Sequence, residues 1–222
     1  MKKQVNAILR GLKEKIRKWY RQKTRLIVVA GRKKSGKDVL VDYIMKRYHG
    51  FKHYRIAEAP VLIAKILELP PDRTTLHKLF EINALLRPVL GKSAYMRRVS
   101  ILLEREKPKF AIVEAIRTKE EYEEFVVNRR GILMGVMADG KIRYERALQD
   151  SRTQKEKRDE GKMTFKEFMQ KENSPIERDA DWIVKRAHFV LENNFKTKIP
   201  FEREIDKVMT ELGFTRKARR AA

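Results

Sequence analysis

Cysteine is absent from this chain of 222 residues, and its absence excludes several kinds of chemistry at once. Disulfides, thiolate metal sites and cysteine nucleophiles are all ruled out. Long apolar runs are also missing, because the longest, Leu26–Ala30 and Ile132–Ala138, are far too short to cross a bilayer. The N-terminus has no apolar segment followed by a small-residue cleavage site, which is the pattern of a secretory signal. We therefore expect a cytoplasmic protein without a transmembrane segment.

Acidic residues are scarce relative to basic ones. Lys and Arg number 53 against 30 Asp and Glu, which gives a formal net charge of +23. Residues 1–24 hold nine of the bases and one acid, and residues 215–222 hold four bases and no acid. Such ends would attract polyanions such as nucleic acid, ribosomes or anionic lipid, and the alternative is a charged surface that only keeps the protein in solution.

Short apolar runs alternate with helical patterns along most of the chain. Hydrophobic residues make up 42% of it, which is enough for a buried core. The patterns predict strands at 25–30, 53–57, 109–114, 132–138 and 189–192. They predict helices at 4–20, 38–48, 119–128 and 200–212, and a mostly helical segment at 61–105 with breaks at 70–71 and 88–91. Alternation of this kind predicts an α/β fold with a parallel five-stranded sheet and helices on both faces.

The junction after the first strand carries the most specific motif. Gly31-Arg-Lys-Lys-Ser-Gly-Lys-Asp38 has the G-x-x-x-x-G-K spacing, directly after a strand and directly before a helix. Such a loop turns successive backbone N–H groups towards a phosphate, and the following helix adds the positive end of its dipole. Lys37 would reach the β- and γ-phosphates of ATP. The residues predicted to contact ATP are Gly31, Arg32, Lys33, Lys34, Ser35, Gly36, Lys37, Asp38 and Val39.

Asp38 stands where this motif usually has a Ser or Thr that contacts Mg²⁺. A carboxylate is also a hard oxygen ligand that suits Mg²⁺, so we expect Asp38 to be a metal ligand. The alternative for the whole segment is a turn containing glycines that fits the pattern by coincidence.

The loop resembles that of phage-type deoxynucleoside monophosphate kinases and animal phosphomevalonate kinases, which also place Asp after the loop lysine. The remainder is more similar to the prokaryotic dephospho-CoA kinase-like branch of the P-loop nucleotide kinase superfamily. That similarity rests on four segments over roughly residues 25–212: Val113-Glu-Ala-Ile-Arg117, Arg143-Tyr-Glu-Arg146, Thr164-Phe-Lys-Glu-Phe168 and Phe189-Val-Leu-Glu-Asn-Asn194. The resemblance implies a kinase that uses Mg·ATP, with a helical lid over the nucleotide. It covers three kinds of acceptor, namely deoxynucleotides, dephospho-CoA and phosphomevalonate.

Three residues near the ends of the second and third strands are further candidates. Glu114 closes an apolar strand, where an acid could hold Mg²⁺ or its water shell, and Arg117 at the same edge could grip a substrate phosphate. The alternative is a strand-capping carboxylate and an arginine that faces solvent. Glu58 follows the second strand and could accept a hydroxyl proton, but an ordinary exposed glutamate fits its position equally well.

The charged stretch at about 141–180 resembles the lid of nucleotide kinases. Arg146 and Arg152 are candidates to stabilise the transferring phosphoryl group, and Arg143 is a weaker one. The alternative is a salt-bridged pair of helices, because the stretch holds nine acids and eleven bases.

Arg87, Arg97 and Arg98 lie in the segment where similar kinases bind the acceptor. Asn193 and Asn194 fit a turn, and the histidines show no pairing with acids that would indicate a zinc site.

The chain thus divides into a basic amphipathic helical extension at 1–24, a kinase domain at 25–214 and a basic tail at 215–222. The first helix either packs on its own domain or anchors to a membrane surface. The leading hypothesis is an Mg·ATP-dependent kinase of the nucleoside monophosphate kinase or dephospho-CoA kinase type, acting on a nucleotide-like or phosphorylated small molecule. The other is an ATP-binding protein that associates with nucleic acid or ribosomes through its basic termini.

Overall fold

A five-stranded parallel sheet forms the centre of the protein. The computed structural model describes residues 2–70, 75, 78, 79, 82, 94–153, 163–172 and 175–217. The strands are β1 (Arg25–Ala30), β2 (Phe51–Arg55), β3 (Phe110–Ile116), β4 (Ile132–Met137) and β5 (Phe189–Glu192). They lie in the order β2-β3-β1-β4-β5, so β1 is the central strand. All pairs are parallel, as predicted, and the carboxyl ends of the strands therefore meet at one edge.

Helices cover both faces of this sheet. They are α1 (Lys2–Tyr20), α2 (Lys37–Arg47), α3 (Glu58–Ile66), α4 (Ala94–Glu106), α5 (Lys119–Tyr122), α6 (Gly140–Thr153), α7 (Phe165–Glu172), α8 (Pro175–Val184) and α9 (Lys198–Glu211). A π-helical segment, Glu123–Asn128, continues α5. Among the described residues no helix is long and apolar enough to span a membrane.

Two apolar clusters hold the layers together, one on each face. The first joins side chains of β1, β4 and β5 to α2 and α9, with Ile27, Ile44 and Phe201 fully buried in it. The second joins the opposite faces of β1 and β3 to α4, the π-helical segment and α8, around residues such as Val28, Val99 and Phe125. Successive residues of a strand point to opposite faces, so the unbroken apolar run of β1 supplies both clusters.

Helix α1 packs on the first cluster through its C-terminal half. Trp19 is fully buried and donates a hydrogen bond from Nε1 to the carbonyl oxygen of Leu26, at 2.9 Å. Tyr20 donates from its hydroxyl to the carbonyl oxygen of Leu212, and the Trp19 ring meets Phe214 edge-on at 6.0 Å. The apolar side chains in the described C-terminal half of this helix, Leu12, Ile16, Trp19 and Tyr20, are therefore packed against its own domain.

The structure shifts several predicted boundaries, each for a local reason. Strand β2 starts at Phe51, two residues before the predicted start, because Phe51 pairs with Phe110 and stacks on it. Strand β3 runs to Ile116 through a bulge at Ala115, which has a φ of 66°. Of the two predicted breaks, residue 71 and the whole of 88–91 lie outside the described residues.

Candidate functional site

The predicted phosphate loop connects central strand β1 to α2, at the carboxyl edge of the sheet. Gly36 begins α2 with φ 105° and ψ 21°, a left-handed conformation that glycine adopts without strain. A Cβ at Gly36 would lie 2.1 Å from Nδ2 of Asn193, and one at Gly31 would lie 2.3 Å from the carbonyl oxygen of Val136. Only glycine fits at either position, so both motif glycines are explained by the local backbone.

Inside the loop, two polar side chains meet the requirement for an anion cradle. Lys37 is 8% exposed and donates from Nζ to the carbonyl oxygen of Arg32, at 2.7 Å. Ser35 is fully buried, and its hydroxyl has no hydrogen-bond partner among the described residues. A buried hydroxyl without a partner costs free energy, and an anion in the loop would relieve that cost. These residues therefore fit the triphosphate of ATP.

Asn193 and Arg146 clamp the loop from the side of β5. Asn193 is buried and donates from Nδ2 to the carbonyl oxygen of Ser35, at 2.8 Å. Arg146, on α6, donates to the carbonyl oxygens of Lys34, Ser35, Asn193 and Phe195 and to the side-chain oxygen of Asn193. None of the carboxylates described lies within ion-pair distance of Arg146. Because its partners are neutral, its positive charge stays uncompensated beside the loop.

At the end of the neighbouring strand β3, Glu114 lies in a cluster with residues of β2. Its side chain is 2% exposed, and Oε2 lies 2.7 Å from Nε2 of His53 and 3.1 Å from Nε of Arg55. Arg55 also reaches Asp38, with Nη2 and Oδ1 3.6 Å apart. Arg55 therefore bridges the two predicted metal ligands.

The two carboxylates have opposite pKa shifts. Burial favours a higher pKa for Glu114, but the hydrogen bonds from His53 and Asp38 and the charge of Arg55 outweigh it and hold that pKa to about 2. Desolvation, and then the hydrogen bond and negative charge of Glu114, raise the pKa of Asp38. The Asp38 side chain is 80% exposed, so we regard the neighbouring carboxylate as the firmer cause. A cation would favour the ionised form of both.

The pair suits Mg²⁺ in number and type. Mg²⁺ in kinase sites is held by one or two carboxylates together with phosphates and water, so a third protein ligand is not needed. No group of three or more His, Cys, Asp or Glu side chains that could hold a metal occurs among the described residues. Asp38 is exposed towards solvent, whereas Glu114 is buried against His53 and Arg55, and so Asp38 is the freer ligand.

The bulge at Ala115 shapes the segment that follows Glu114. The extra residue breaks the register between β1 and β3, where Ala30 pairs with Ile116. Bulges of this kind redirect side chains at strand ends. Arg117 lies just beyond, partly buried, and its backbone N–H donates to Oε2 of Glu121, at 2.6 Å. The structure thus places Glu114 and Arg117 at the same sheet edge as the loop.

Glu58 and the acceptor-region arginines lie on other elements. Glu58 starts α3, and its half-exposed carboxylate pairs with Nη1 of Arg98 on α4, at 3.1 Å. Arg97 is exposed on the same helix. A groove of about 470 Å³ is lined by Arg97, Arg98 and Arg105 together with apolar residues of α4. Arg87 lies outside the described residues.

Ion pairs join the remaining loop cations to the predicted lid. Arg32 donates from Nε and Nη2 to both carboxylate oxygens of Asp181, at 2.7 and 2.5 Å. Lys34 pairs with Asp150 of α6, and Lys33 offers its carbonyl oxygen to Arg143 at 3.4 Å. The loop therefore contacts both α6 and α8.

The predicted lid arginines have different surroundings. Arg143 is buried and pairs with buried Glu172 of α7, which ties α6 to α7. Arg146 lies on the loop, as described above. Arg152 is exposed in the last turn of α6 and makes no hydrogen bond or ion pair with any side chain in the part of the chain that the structure describes. Val39 lies one residue into α2 from Asp38 and packs against the first apolar cluster.

Three residues of this site were missed by sequence reasoning. His53 and Arg55 lie on either side of buried Tyr54 in β2, and they meet Glu114 because β2 pairs with β3. Asn193 was interpreted as a turn residue, but its backbone N–H continues the β4–β5 pairing towards Met137 and its side chain holds the loop. Contacts between side chains of different strands cannot be predicted from the sequence of a single strand.

Comparisons with known proteins give a fold but little sequence identity. No protein-family model matches the chain. A UPF0200 protein of Pyrobaculum aerophilum is 26% identical over 191 residues, which are 84% of this chain and 98% of that protein. Shikimate kinase of Bacteroides thetaiotaomicron superposes with a TM-score of 0.51 and 14% identity, over 85% of this chain and 98% of that one. Dephospho-CoA kinase of Campylobacter jejuni, with a TM-score of 0.47 and 18% identity over 85% of this chain and 97% of that one, is too distant to add an argument.

The likeness to shikimate kinase extends over almost the whole of that enzyme. At this level of identity it is a likeness of fold alone. This chain has the fold of the P-loop kinases.

Proposed function

We propose that the protein is an Mg·ATP-dependent kinase that transfers the γ-phosphoryl group to a small molecule. The observation that carries the proposal is the loop itself, which brings together two obligatory glycines, a buried lysine and a buried serine hydroxyl without a hydrogen-bond partner among the described residues. Proteins of this kind use such a loop to hold the phosphates of a nucleoside triphosphate.

Each side chain of the site has a role that its surroundings allow. Lys37 leaves the Arg32 carbonyl oxygen and binds the β- and γ-phosphates, since its ammonium group is already aimed at the loop. Arg146 stabilises the negative charge of the migrating group, because its own charge has only neutral partners. Arg117 holds the acceptor at the end of β3. Glu58 would orient the acceptor or accept its proton, and Arg152 would contribute only if α6 moved.

Asp38 and Glu114 would hold Mg²⁺, which when bound draws charge from the β- and γ-phosphate oxygens. Glu114 is kept ionised and oriented by His53 and Arg55. Arg55 contacts both carboxylates and would hold Asp38 of α2 close to Glu114 of β3 before the substrate arrives.

If the lid closed over ATP, cations of the loop would exchange their present carboxylate partners for phosphate oxygens. Arg32 and Lys34 are paired with Asp181 and Asp150, which are 47% and 37% exposed. Arg32 and Lys34 are themselves mostly buried, so a triphosphate would have to replace these acids as the partners of both cations. Once bound, the same cations would face phosphate oxygens, and water would be excluded from the loop.

The acceptor is nucleotide-like or already phosphorylated, by resemblance to kinases of deoxynucleotides, dephospho-CoA and phosphomevalonate. The test is an ATP-consumption screen against nucleoside monophosphates, dephospho-CoA and phosphomevalonate, with and without Mg²⁺. We expect Mg²⁺-dependent turnover with one of these acceptors. We expect Lys37→Ala to abolish that turnover while its circular dichroism spectrum stays that of the parent.

Two results would refute the proposal. One is near-normal turnover in the Lys37→Ala variant, because transfer would then not depend on the loop. The other is silence with every acceptor in a protein that also fails to bind ATP.

A further inference from the structure

The opposite edge of the sheet, where the strands begin, is rich in basic side chains. Because all five strands are parallel, the residues that precede them come together at this edge. β1 has six residues, so this edge lies about 20 Å from the phosphate loop. We call the following set the basic surface: Arg17, Lys18, Arg21, Lys23, Lys46, Arg47, Lys107, Lys109, Arg130 and Lys217.

Both basic ends of the chain converge on this surface. The backbone N–H of Lys217 donates to the carbonyl oxygen of Arg47 at 2.8 Å, and its Nζ donates to that of Met45 at 3.3 Å. This holds the start of the C-terminal tail against the end of α2. Trp19 and Phe214 are in ring contact, which brings the end of α1 to the same place.

Acidic side chains nearby are already paired with bases, and one of these bases, Lys18, belongs to the basic surface and pairs with Glu14 at 2.8 Å. Asp206 pairs with Arg216, and Arg129 pairs with both Glu104 and Glu124. Within the described ranges, no carboxylate comes within ion-pair distance of Arg17, Lys23, Lys46, Lys107, Lys109 or Arg130. The positive charge of the surface is therefore left for an external partner.

The packing of α1 distinguishes between two kinds of polyanion. A helix that binds a membrane surface buries its apolar stripe in the lipid. Here Leu12, Ile16 and Trp19 pack on the protein core instead, and the exposed side of the helix is basic. The observations favour nucleic acid.

The same surface lacks the groups that bind single strands. Bases of single-stranded nucleic acid stack on exposed aromatic rings. No exposed Phe, Tyr or Trp occurs on this surface in the part of the chain that the structure describes. Charge without aromatic platforms suits the regularly spaced phosphates of a duplex.

We propose that the basic surface binds the phosphate backbone of double-stranded nucleic acid, without sequence preference and separately from the nucleotide site. The proposal does not depend on the kinase activity, because the two sites lie at opposite edges of the sheet.

The test measures binding of the full chain to a fluorescein-labelled 20-base-pair duplex, as RNA and as DNA, by anisotropy over a range of salt concentrations. One variant carries Arg17→Glu, Lys23→Glu, Lys46→Glu and Lys107→Glu. A control with the same change in net charge carries Lys65→Glu, Lys166→Glu, Lys198→Glu and Arg203→Glu, which are exposed and outside the basic surface. Thermal midpoints of both are recorded, because bases near helix ends also stabilise the fold.

We expect the first variant to bind about tenfold or more weakly than the parent, with the slope of log K against log salt reduced by about 3 to 4. The control should keep most of the affinity and slope. Equal losses in the two variants would overturn the proposal, because net charge alone would then explain binding. So would no binding of either duplex by the parent at about 0.15 M salt, or binding confined to vesicles of phosphatidylserine and phosphatidylcholine.

Discussion

Two carboxylates beside the loop, Asp38 and Glu114, have unequal surroundings. Glu114 is nearly buried and contacts His53 and Arg55, whereas Asp38 is exposed and among the described cationic side chains lies within ion-pair distance of Arg55 alone. A carboxylate with fixed partners holds the side chains around it in place, and a carboxylate with few partners is available to bind a metal ion. We infer that Glu114 acts mainly by fixing the site and Asp38 by binding metal.

Substitution of Glu114 tests this division of roles. Glu114→Gln removes the charge that His53 and Arg55 surround, and loss of such a supporting group typically weakens metal affinity 10- to 100-fold. We expect the Mg²⁺ concentration for half-maximal ATP consumption to rise by about tenfold. The measurement is activity against Mg²⁺ at saturating ATP.

Glu104→Gln is the matched control for this experiment. Its carboxylate is 67% exposed and pairs with Arg129, far along α4 from the site. We expect no change in its Mg²⁺ requirement. A similar increase in both variants, or none in Glu114→Gln, would show that Glu114 has no part in holding the metal.

At the scale of elements, α1 has the packing of an integral helix. Trp19 belongs to the same buried cluster as β1, β4 and β5, and its indole N–H holds the first carbonyl of β1's buried run. Cutting at residue 24 would therefore remove core and not only charge. We propose that the kinase domain needs α1 for its stability.

Trp19→Ala measures this contribution. Removal of a buried Trp side chain costs about 3–5 kcal/mol, and we expect the free energy of unfolding in urea to fall by that amount. Trp182→Ala is the control, since that ring is partly exposed and contacts Tyr122 and Arg186. It should cost less than half as much.

If Trp19→Ala does not fold, Trp19→Phe replaces it. That variant keeps a ring in the core and leaves the Leu26 carbonyl without its donor, at a cost of about 1–3 kcal/mol. A loss below measurement error in Trp19→Ala, or in Trp19→Phe where that variant is used, would show that α1 is a detachable extension.

Elements with strong local signals were predicted well from the sequence. β1 and β5 have the predicted bounds, because an apolar run between turn or polar residues defines each. The loop was recognised because its glycines are required by the backbone itself. β2 was displaced by two residues, because Phe51 is fixed by its partner Phe110 and not by its neighbours in the chain.

The contacts within the site were harder to predict. Arg55 and His53 reach Glu114 across two strands, and Asn193 reaches Ser35 from a residue 158 positions away. Such contacts follow from strand order, which the sequence pattern does not specify. The roles of Arg117, Arg146, Arg152 and Glu58 remain predictions.

On the scale of the whole molecule, basic side chains lie at two opposite edges of the sheet, the carboxyl edge and the edge where the strands begin. At the carboxyl edge, the loop cations are partly matched by acids of the lid, and Arg146 is left with neutral partners. At the other edge, bases have few acidic partners among the described residues. The first arrangement suits a small anion bound at one place, and the second suits an extended one.

The most direct test of the central claim is calorimetric titration of Mg·ATP into the parent, Lys37→Ala and Lys46→Ala. Lys37 and Lys46 lie on the same helix, but only Lys37 is buried at the loop. A hydrogen bond to a charged group contributes about 1.5–3 kcal/mol, so Lys37→Ala should weaken binding by at least about tenfold while Lys46→Ala binds like the parent. Equal affinity in all three proteins, or no heat of binding in the parent, would contradict the account.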